Sequence, residues 1–528
     1  MSALDQVGFP LLSVMTYLPL VGVALIVLFG KDRPGLYKPV ALVTTVLAFV
    51  LSVVMLLRFD TGRPGMQFTE NVVWIKSLNI HYGMGVDGIA ALLIFLTTLL
   101  GFIVIISSWS YVKDRERGFF VSLLLLQTGM VGVFCATDIF LFYVFWEAML
   151  IPMYFIIGVW GGPRKIYAAI KFFLFTFAGS VLMLVALIAT VYYVKGQTGV
   201  LTFDIQELTR QVYPYHLQFW AFLAFFVAFA IKVPMWPLHT WLPDAHVEAP
   251  TAGSVILAGV LLKMGGYGML RFCLPMYPDA TVTFVPWVIG LSVIAILYGA
   301  LVSLMQKDLK KLVAYSSVSH MGFVTAGIFA AVALVGNQAG MEGAILVMFN
   351  HGILTGALFL LVGFLYERTH TREIAAMSQL AKPLPVLAGF FLFFTLGSLG
   401  LPGLNGFVGE FLSLLGLFNY SRATAAIAGI GVILAAAYLL WMYQRVLFND
   451  RGDAEVMPDI HLRDFSLREI ASLAPLVVFA IWVGVYPELF LNLLHVPVQQ
   501  IIDKVTPSLA GGHGDGLAQL LDVTRGLF

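Results

Sequence analysis

The sequence predicts an all-α protein that crosses a membrane about fourteen times. Of its 528 residues, 60% are hydrophobic and only 11% are charged, and the mean hydropathy is +0.92. These values lie outside the range of soluble globular domains. The charged residues cluster between apolar runs, and each run has roughly the 20 residues that a helix needs to cross about 30 Å of hydrocarbon. Lipid is therefore the main environment that we predict for this chain.

The apolar runs give the positions of the predicted helices, which we number as crossings 1 to 14. They cover residues 10–30, 38–58, 86–108, 119–136, 138–158, 168–193, 217–237, 251–273, 283–305, 313–334, 342–366, 384–416, 423–448 and 470–492. The first run is followed rather than preceded by basic residues, which predicts a retained helix and not a cleavable signal peptide. Residues 59–87 contain short alternating stretches with Gly and Pro, which predict a small β-hairpin. After residue 492 we expect a short amphipathic segment and a flexible, glycine-rich end.

The distribution of basic residues predicts the orientation of the chain. Short loops after the odd-numbered crossings hold nineteen of the thirty Lys and Arg residues, whereas the opposite loops and the termini hold nine. The other two are Lys232 and Lys263, which lie inside crossings. Because loops rich in Lys and Arg stay inside, and because an even number of crossings places both termini on one side, both termini are predicted to lie outside.

Two crossings are interrupted in mid-membrane. Pro234 and Pro237 interrupt crossing 7, and the run Gly400–Gly406 interrupts crossing 12. The breaks lie five crossings apart, which predicts two five-helix repeats, crossings 4–8 and 9–13, inverted because five is odd. Ordinary proline kinks are the alternative. The predicted organisation is an N-terminal part with crossings 1–3 (residues 1–118), a first repeat (119–273), a second repeat (283–448), and crossing 14 with the tail (449–528).

The composition also excludes several kinds of chemistry. The formal net charge is only +1, so nucleic acid is not an expected partner. The two cysteines, Cys135 and Cys273, are distant and belong to no CxxC pair, so an iron–sulfur cluster or zinc site is not expected. No Walker loop or GxGxxG at a strand–helix turn is present, which argues against ATP or dinucleotide binding. Any redox chemistry is therefore expected in another chain.

Four charged residues lie deep within apolar runs: Glu147, Lys232, Lys263 and Glu410. A charge at the bilayer centre costs about 2.5–3.5 kcal/mol, so each needs a partner or a path of water. Glu147 and Lys232 have opposite charges at matched depth in crossings 5 and 7, which predicts an ion pair. At about 4 Å and an effective dielectric near 20, their attraction would be roughly 4 kcal/mol. The alternative is a pair that only fixes helix packing.

Two histidines lie between Lys263 and Glu410 in chain order, on crossings 10 and 11. Imidazole can give and accept protons near neutral pH, so these groups together could carry protons across the second repeat. For each histidine alone, a hydrogen bond to a core carbonyl is an equal alternative. The predicted proton relay comprises Glu147, Lys232, Lys263, His320, His351 and Glu410.

A polar cluster follows the break in crossing 7, with His239, Asp244, His246 and Glu248 in a predicted inside-facing loop. Its spacing matches neither HxxxH nor HExxH, so we interpret it as a vestibule where protons enter or as loop capping, and we predict no metal site. Lys171, near the start of crossing 6, is predicted to extend its ammonium group to the inner surface.

Four motifs contain most of the predicted relay residues. They are Phe145-Trp146-Glu147, the segment from Lys232-Val233-Pro234 to Asp244-Ala245-His246, Ser319-His320-Met321-Gly322, and Gly403-Leu404-Asn405-Gly406-Phe407-Val408-Gly409-Glu410-Phe411. These motifs resemble the antiporter-like subunits of respiratory complex I, and the resemblance runs over nearly the whole chain. The glutamate at position 410 resembles the M-type chain of this family, whereas L-type and N-type chains usually carry lysine there.

The resemblance implies a proton-translocating membrane-arm subunit of NADH:quinone oxidoreductase. NADH, FMN, iron–sulfur clusters and quinone would be bound by other subunits and none by this chain. Its neighbours would be L-type and N-type chains, and its location a bacterial plasma membrane. The matching motifs assign Glu147 and Lys232 to the family's ion pair, Lys263 to the central relay lysine, Glu410 to the terminal relay group, and His320 and His351 to the hydrated central axis.

Three other functions remain open at this stage. Subunits of multi-subunit sodium/proton antiporters share the fold and much of the motif set, and a sodium dependence of transport would favour them. The membrane arm of an energy-conserving hydrogenase is a related possibility. A structural scaffold would use its buried charges for assembly only, although four buried charges are costly for packing alone.

Overall fold

The computed structural model describes residues 2–30, 33–334, 337–377, 379–448 and 462–510. Within these ranges, 13 helical segments are long and apolar enough to cross a membrane. Two shorter helices separated by a break form one more crossing, at the position of predicted crossing 12. The predicted class of polytopic all-α membrane protein is therefore confirmed. The flexible end predicted near the C-terminus lies mostly outside the described residues.

The first part of the chain contains crossings 1–6 and the hairpin. The strands β1 (Gln67–Ile75) and β2 (Ile80–Val86) pair antiparallel, as predicted. We call the end of the bundle that carries them the hairpin side and the opposite end the far side. The helices are α1 Ala3–Val7, α2 Leu11–Phe29, α3 Tyr37–Leu57, α4 Gly88–Ser107, α5 Glu116–Cys135, α6 Ile139–Ala148, α7 Leu150–Trp160, α8 Lys165–Thr198 and α9 Ile205–Arg210.

The rest of the chain contains crossings 7–14. Crossing 8 is interrupted by two π-helical segments, Leu257–Leu261 and Met269–Cys273. The helices are α10 Tyr215–Lys232, α11 Trp241–Glu248, α12 Thr251–Ile256, α13 Leu262–Gly268, α14 Leu274–Met276, α15 Pro278–Leu304, α16 Leu309–Val332, α17 Gln338–Thr369, α18 Pro385–Ser398, α19 Asn405–Tyr420, α20 Arg422–Leu447, α21 Leu467–Val485, α22 Glu488–Leu491 and α23 His495–Ala510.

Three crossings form the centre of the bundle. The most apolar windows of crossing 8 and of α17 are completely buried, and that of α16 is 94% buried. By contrast, the corresponding windows of α3, α20 and α21 are one-third buried or less. A helix that is apolar on every side and also buried belongs in the interior of a membrane protein, whereas an apolar exposed face meets lipid. The predicted relay residues Lys263, His320 and His351 therefore lie on central helices.

Crossing 7 is broken where the two prolines predict, but the residues after the break are not a loop. α10 ends at Lys232, residues 233–240 form turns, and α11 then resumes the helical path toward the far side. Trp241 is fully buried there and donates from Nε1 to the carbonyl of Ile231 across the break, at 2.9 Å. The prediction of an inside-facing loop at residues 239–248 was wrong, because this tryptophan anchors a second helix below the prolines.

Crossing 12 is broken between α18 and α19, at residues 399–404. Gly400 and Gly403 have φ values of +82° and +91°, a region that side-chain-bearing residues rarely adopt. The broken backbone is held by the amide of Asn350 on α17, whose Nδ2 donates to the carbonyl of Asn405 at 2.6 Å. The break predicted from the glycine and proline run is therefore present, and it ends one and a half turns before Glu410.

α17 and α19 pack so closely that several glycines in their contact leave no room for a Cβ atom. A Cβ atom placed on Gly416 would lie 2.5 Å from Gly340 Cα, and one placed on Gly409 would lie 2.8 Å from the backbone nitrogen of Val347. Such distances are shorter than any real Cβ contact. The two helices therefore touch through their backbones, as small residues allow in membrane proteins.

A repeated local structure supports the predicted inverted repeats. Asp138 caps the start of α6 and pairs in an isolated antiparallel bridge with Asp204, after crossing 6. Asp308 caps the start of α16 and pairs in the same way with Glu373, after crossing 11. These positions lie five crossings apart, and they occur at opposite ends of the bundle. This is the relation expected of two inverted five-helix units, and the division into these units stays a prediction.

The C-terminal amphipathic segment predicted after residue 492 is α23. Its buried face carries Val498, Ile502 and Val505, whereas Gln499 and Asp503 are exposed. His495 Nδ1 lies 2.6 Å from Glu342 Oε1, which joins the start of α23 to the start of α17. The helix therefore covers part of the hairpin side.

Candidate functional site

Lys263 and His351 form the central contact of the site. Lys263 is completely buried on α13, and its Nζ lies 2.6 Å from Nδ1 of His351 on α17. The same ammonium nitrogen donates to the carbonyl of Ala258, which belongs to the first π-helical segment. A π-helical turn displaces carbonyl groups from the regular helix ladder and often marks a functional position. This segment thus supplies one acceptor to a lysine that is otherwise surrounded by apolar side chains.

His320 and Glu410 form the next contact. His320 on α16 and Glu410 on α19 are both buried, and Nδ1 of the histidine lies 2.6 Å from Oε1 of the glutamate. The other ring nitrogen, Nε2, lies 3.3 Å from the hydroxyl group of Tyr438 on α20. Both nitrogens therefore have polar partners, and a proton bound to either one has an acceptor within reach.

A small cavity connects the two pairs. The rings of His320 and His351 have their centroids 5.8 Å apart, and both line a cavity of ≈ 20 Å³ together with Asn350 and Glu410. A cavity of this size holds about one water molecule if polar partners surround it. Nε2 of His351 is buried and has no partner among the residues that the structure describes, so it can bind such a water. Four predicted relay residues are thus brought together in the order Lys263, His351, His320, Glu410.

Glu147 and Lys232 do not form the predicted ion pair. No carboxylate oxygen of Glu147 lies within 4.0 Å of Lys232 Nζ, and among the described residues this nitrogen has no hydrogen-bond partner. Instead, Lys232 is buried with Nζ 4.9 Å from the ring centroid of Trp146. Glu147 is half-buried, and its Oε1 has no hydrogen-bond partner. The expected contact at about 4 Å was wrong, because Trp146, the neighbour of Glu147 on α6, interacts with the ammonium group in its place.

The polar cluster after the break in crossing 7 lies at the far side and is tied to crossing 6. Asp244 on α11 accepts a hydrogen bond from Nζ of Lys171 at 2.7 Å, and Arg164 approaches the same carboxylate at 3.5 Å. Both groups are partly exposed, so Lys171 extends toward the end of the bundle to which its extension was predicted, with Asp244 as its partner there. Among the described residues, no group of three or more His, Cys, Asp or Glu side chains is arranged to hold a metal ion.

A cavity of ≈ 200 Å³ lies at the far side beside this cluster. Glu248, Lys310, Tyr366 and Arg372 line it, and Lys310 is buried with its Nζ 2.5 Å from the carbonyl of Ala249. The neighbouring His246 is buried and stacks on Phe359 with a centroid distance of 4.6 Å. In the described part of the chain, neither of its ring nitrogens has a hydrogen-bond partner. The cavity is polar and large enough for several waters.

Sequence reasoning missed three residues of this site. Lys310 was counted among the basic loop residues, and the Asp308 cap two positions earlier is the signal that places it inside a helix instead. Asn350 could have been recognised, because it is a polar amide within an apolar run and directly precedes His351. Tyr438 lies in an apolar run without any distinguishing pattern, so only the fold brings it to His320.

Two family models match the chain. One is described as "NADH:quinone oxidoreductase/Mrp antiporter, TM" and covers residues 136–435, which include all six predicted relay residues. The other is described as "NADH-ubiquinone oxidoreductase chain 4, amino terminus" and covers residues 14–132. Together they account for most of the chain, and the larger match alone covers more than half of it.

Curated relatives agree with these models. The chain is 49% identical to NADH-quinone oxidoreductase subunit M from Rhodobacter capsulatus, over 94% of this chain and 96% of the relative. It is 43% identical to NADH-ubiquinone oxidoreductase chain 4 from Marchantia polymorpha, over 93% of this chain and 97% of the relative.

Solved structures share the fold. A chain of respiratory complex I from Thermus thermophilus with bound NADH superposes with a TM-score of 0.83 at 32% identity, over 94% of this chain and 99% of that chain. A chain of the Mrp complex from Dietzia sp. DQ12-45-1b reaches a TM-score of 0.79 at 20% identity, over 94% and 99% of the two chains, which shows a common fold alone. The chain therefore belongs to the antiporter-like, proton-translocating membrane subunits of NADH:quinone oxidoreductase, in the group that includes subunit M and chain 4.

Proposed function

We propose that protons move through this subunit along a relay of Lys263, His351, His320 and Glu410, and that Glu147 and Lys232 control its loading. The observation that carries this proposal is the pair of 2.6 Å contacts, Lys263 with His351 and His320 with Glu410. The cavity of ≈ 20 Å³ lies between them. A water in this cavity would connect the two contacts. Proton transfer needs this kind of contact between neighbouring groups.

The separated Glu147 and Lys232 support a gating role for this pair. A nearby carboxylate favours the protonated form of a lysine, whereas burial among aromatic rings without a carboxylate in contact disfavours the charge. The structure has Lys232 over Trp146 rather than against Glu147. Moving between these two arrangements changes how tightly the lysine holds its proton. The chain binds no redox centre, so we infer that the trigger for this movement comes from another subunit.

The far-side cavity supports a path by which protons reach the relay. Lys310 and Glu248 line this cavity, and His246 lies beside it with both ring nitrogens unpartnered. We infer that water in the cavity exchanges protons with these groups, and that the protons then pass on to Lys263. The polar cluster after the break in crossing 7 would then be the vestibule where protons enter. It lies at the far side, which the basic loops predict to be the inside.

The assembly and location follow from the same proposal. NADH, FMN, iron–sulfur clusters and quinone are bound by other subunits of the complex, and L-type and N-type chains are the expected neighbours of this one. The chain lies in a bacterial plasma membrane with the hairpin side and both termini facing outward. The alternatives of a sodium/proton antiporter or a hydrogenase membrane arm are not favoured, because the named relatives belong to NADH:quinone oxidoreductase.

The test is purification through a tag on this chain, followed by assays of NADH:quinone activity and of NADH-driven proton uptake in vesicles. The variants are Lys263→Gln and Glu410→Gln, with Lys195→Gln as the matched control because Lys195 is exposed at the hairpin-side end of α8. We expect both relay variants to assemble and to lose proton uptake, whereas the control keeps it.

Two outcomes would contradict the proposal. Unchanged proton uptake per NADH oxidised in both relay variants would exclude this route. A tagged assembly that exchanges sodium for protons and has no NADH:quinone activity would instead support the antiporter function, with the same buried residues assigned to ion exchange.

A further inference from the structure

An apolar groove of ≈ 380 Å³ lies at the hairpin side of the bundle, away from the relay. Its walls are the last turns of α3, the first turns of α4, the last turns of α21 and the short helix α22. Phe49, Leu57, Phe95, Trp482 and Leu489 are among the lining side chains. Every wall belongs to the hairpin-side half of its crossing, so the groove lies within one leaflet of the membrane.

The groove opens sideways to the surrounding lipid. Leu57 is 79% exposed, Leu489 is 46% exposed and Trp482 is 42% exposed. Tryptophan is enriched where helices meet the membrane–water boundary, which fixes the groove just below the headgroup level. The floor is formed by Phe95, whose ring packs edge-on against Phe479 at a centroid distance of 5.2 Å.

Two arginines follow lining residues of the groove in the chain. Arg58 directly follows Leu57, and Arg63 lies two positions after Thr61. Within the part of the chain that the structure describes, neither guanidinium group has a carboxylate within 4.0 Å. The one acidic residue between them, Asp60, accepts a hydrogen bond from the backbone nitrogen of Gly62 at 3.1 Å. The segment that follows α3 at the hairpin side of the groove thus carries two cationic groups without ion-pair partners among the described residues.

We infer that this groove binds a phospholipid with an anionic headgroup, with one acyl chain between α3 and α21 and the phosphate at Arg58 and Arg63. Guanidinium groups bind phosphate oxygens through paired, charge-assisted hydrogen bonds. The side-chain amide of Asn492, which also lines the groove, can donate to the glycerol or ester oxygens. The two arginines belong to the hairpin-side loops, which are otherwise poor in basic residues, so their place beside the groove is a local feature.

The extent of the groove favours a lipid over a helix of another subunit. A transmembrane helix of about 20 residues is about 30 Å long and would pack along the whole length of the crossings. The groove is confined to the hairpin-side half of its walls, which matches an acyl chain in one leaflet. This inference does not depend on the proposed relay, because none of the residues that line the groove belongs to the relay.

The experiment uses the whole purified complex in lipid nanodiscs with a photoactivatable phosphatidylglycerol that carries a diazirine on its acyl chain. The same experiment with a phosphatidylcholine probe measures labelling by bulk lipid. Cross-linked peptides are identified by mass spectrometry. The test variants are Arg58→Gln with Arg63→Gln, and Val53→Trp, which fills the groove. The controls are Lys195→Gln and Ile188→Trp, an exposed cation and an exposed apolar residue on α8.

We expect phosphatidylglycerol to label residues 49–61 and 479–493 several-fold more than phosphatidylcholine. The double arginine variant should reduce this preference by about 25-fold, because each basic group near an anionic lipid surface contributes a factor of about five. Val53→Trp should abolish labelling by both probes, and the controls should leave it unchanged. Equal labelling by the two probes in every variant would overturn the proposal. So would cross-linking of the groove to another polypeptide in place of lipid.

Discussion

Nδ1 of His320 lies 2.6 Å from Oε1 of Glu410, so crossing 10 and the second half of crossing 12 meet through two groups that can share a proton. A substitution at this contact can show whether His320 transfers protons or only forms a hydrogen bond. Glutamine can keep a hydrogen bond to Glu410, but it cannot take up a proton near neutral pH.

The first prediction follows from this difference. In His320→Gln, NADH-driven proton uptake should fall by about tenfold or more, because positioned proton-transfer groups contribute factors of at least that size. The variant should still assemble. Stopped-flow uptake measurements in vesicles give the rate, and a native gel gives the assembled fraction. A rate within a factor of two of the unchanged protein would mean that His320 has only a packing role.

The substitution Lys232→Met distinguishes a role of this lysine in proton transfer from a purely structural role in assembly. Since Lys232 Nζ has no carboxylate within 4.0 Å, replacing the buried lysine by an apolar side chain of similar length should leave assembly intact or improve it. Proton uptake should nevertheless be lost.

The matched control for this prediction is Lys171→Met, which breaks the 2.7 Å pair with Asp244. Because both groups are partly exposed, this variant should lose up to about 1 kcal/mol of stability. Thermal unfolding and uptake are measured for both variants. The scaffold function requires the reverse result, with poor assembly and normal turnover per assembled complex for Lys232→Met.

Asp138 predicts a local pH dependence at the start of α6. Burial raises the pKa of its carboxyl group to about 6, although the backbone nitrogens of His81, Leu141 and Phe140 donate to it and oppose the shift. Since the folded pKa lies above the unfolded value, the stabilising contribution is complete below pH ~4 and is lost as the pH rises through 6. Between pH 5 and 7.5 the loss is about 1.4 kcal/mol, or a factor of ten.

Hydrogen exchange measures this effect against Asp138→Asn, which does not titrate. In peptides that cover α6, the exchange rate of the unchanged protein divided by that of the variant should rise about tenfold from pH 5 to pH 7.5. Both proteins share the same intrinsic exchange chemistry, which cancels in the ratio. A ratio that stays constant with pH would show that the carboxyl group is ionised throughout this range.

Gly416→Ala tests the backbone contact between α17 and α19. The added methyl group would lie 2.5 Å from Gly340 Cα, so the helices must separate, at a cost of about 1–3 kcal/mol. Gly389→Ala is the control, because no atom lies within 4 Å of its added methyl group and alanine favours the helix by about 1 kcal/mol. The first substitution should lower the unfolding temperature of the complex and the second should not. Equal effects would mean that the contact is loose.

The sequence was sufficient for the membrane class, the hairpin and both helix breaks, because apolar length, alternation and Pro or Gly positions act locally. The assignment of Lys263, His351, His320 and Glu410 to one relay stays a prediction. Both histidines lie between Lys263 and Glu410, as chain position suggested, but the contacts place His351 beside Lys263 and His320 beside Glu410, the reverse of their order in the chain. The relation between Glu147 and Lys232 could not be predicted at atomic detail. Charge and depth predict that the two residues are neighbours. Whether the ammonium group of Lys232 contacts the Glu147 carboxylate or the Trp146 ring depends on side-chain packing, which the sequence pattern does not reveal. The same is true of α11, whose helical form depends on the buried Trp241.

The backbone contact between α17 and α19 also limits how the relay can work in time. His351 and Glu410 lie on these two helices, and Gly340, Gly409 and Gly416 leave no room for a side chain where the backbones touch. A displacement of one helix along the other would bring side chains into these places, so we expect the two helices to move together. Helix displacements take microseconds to milliseconds, whereas side-chain rotations take picoseconds to nanoseconds when space allows. We therefore expect proton steps between His351, the cavity and Glu410 to proceed by rotation of side chains and water at the faster rates. A slow step that sets the turnover is then expected at the Glu147 and Lys232 end of the subunit or in its partners.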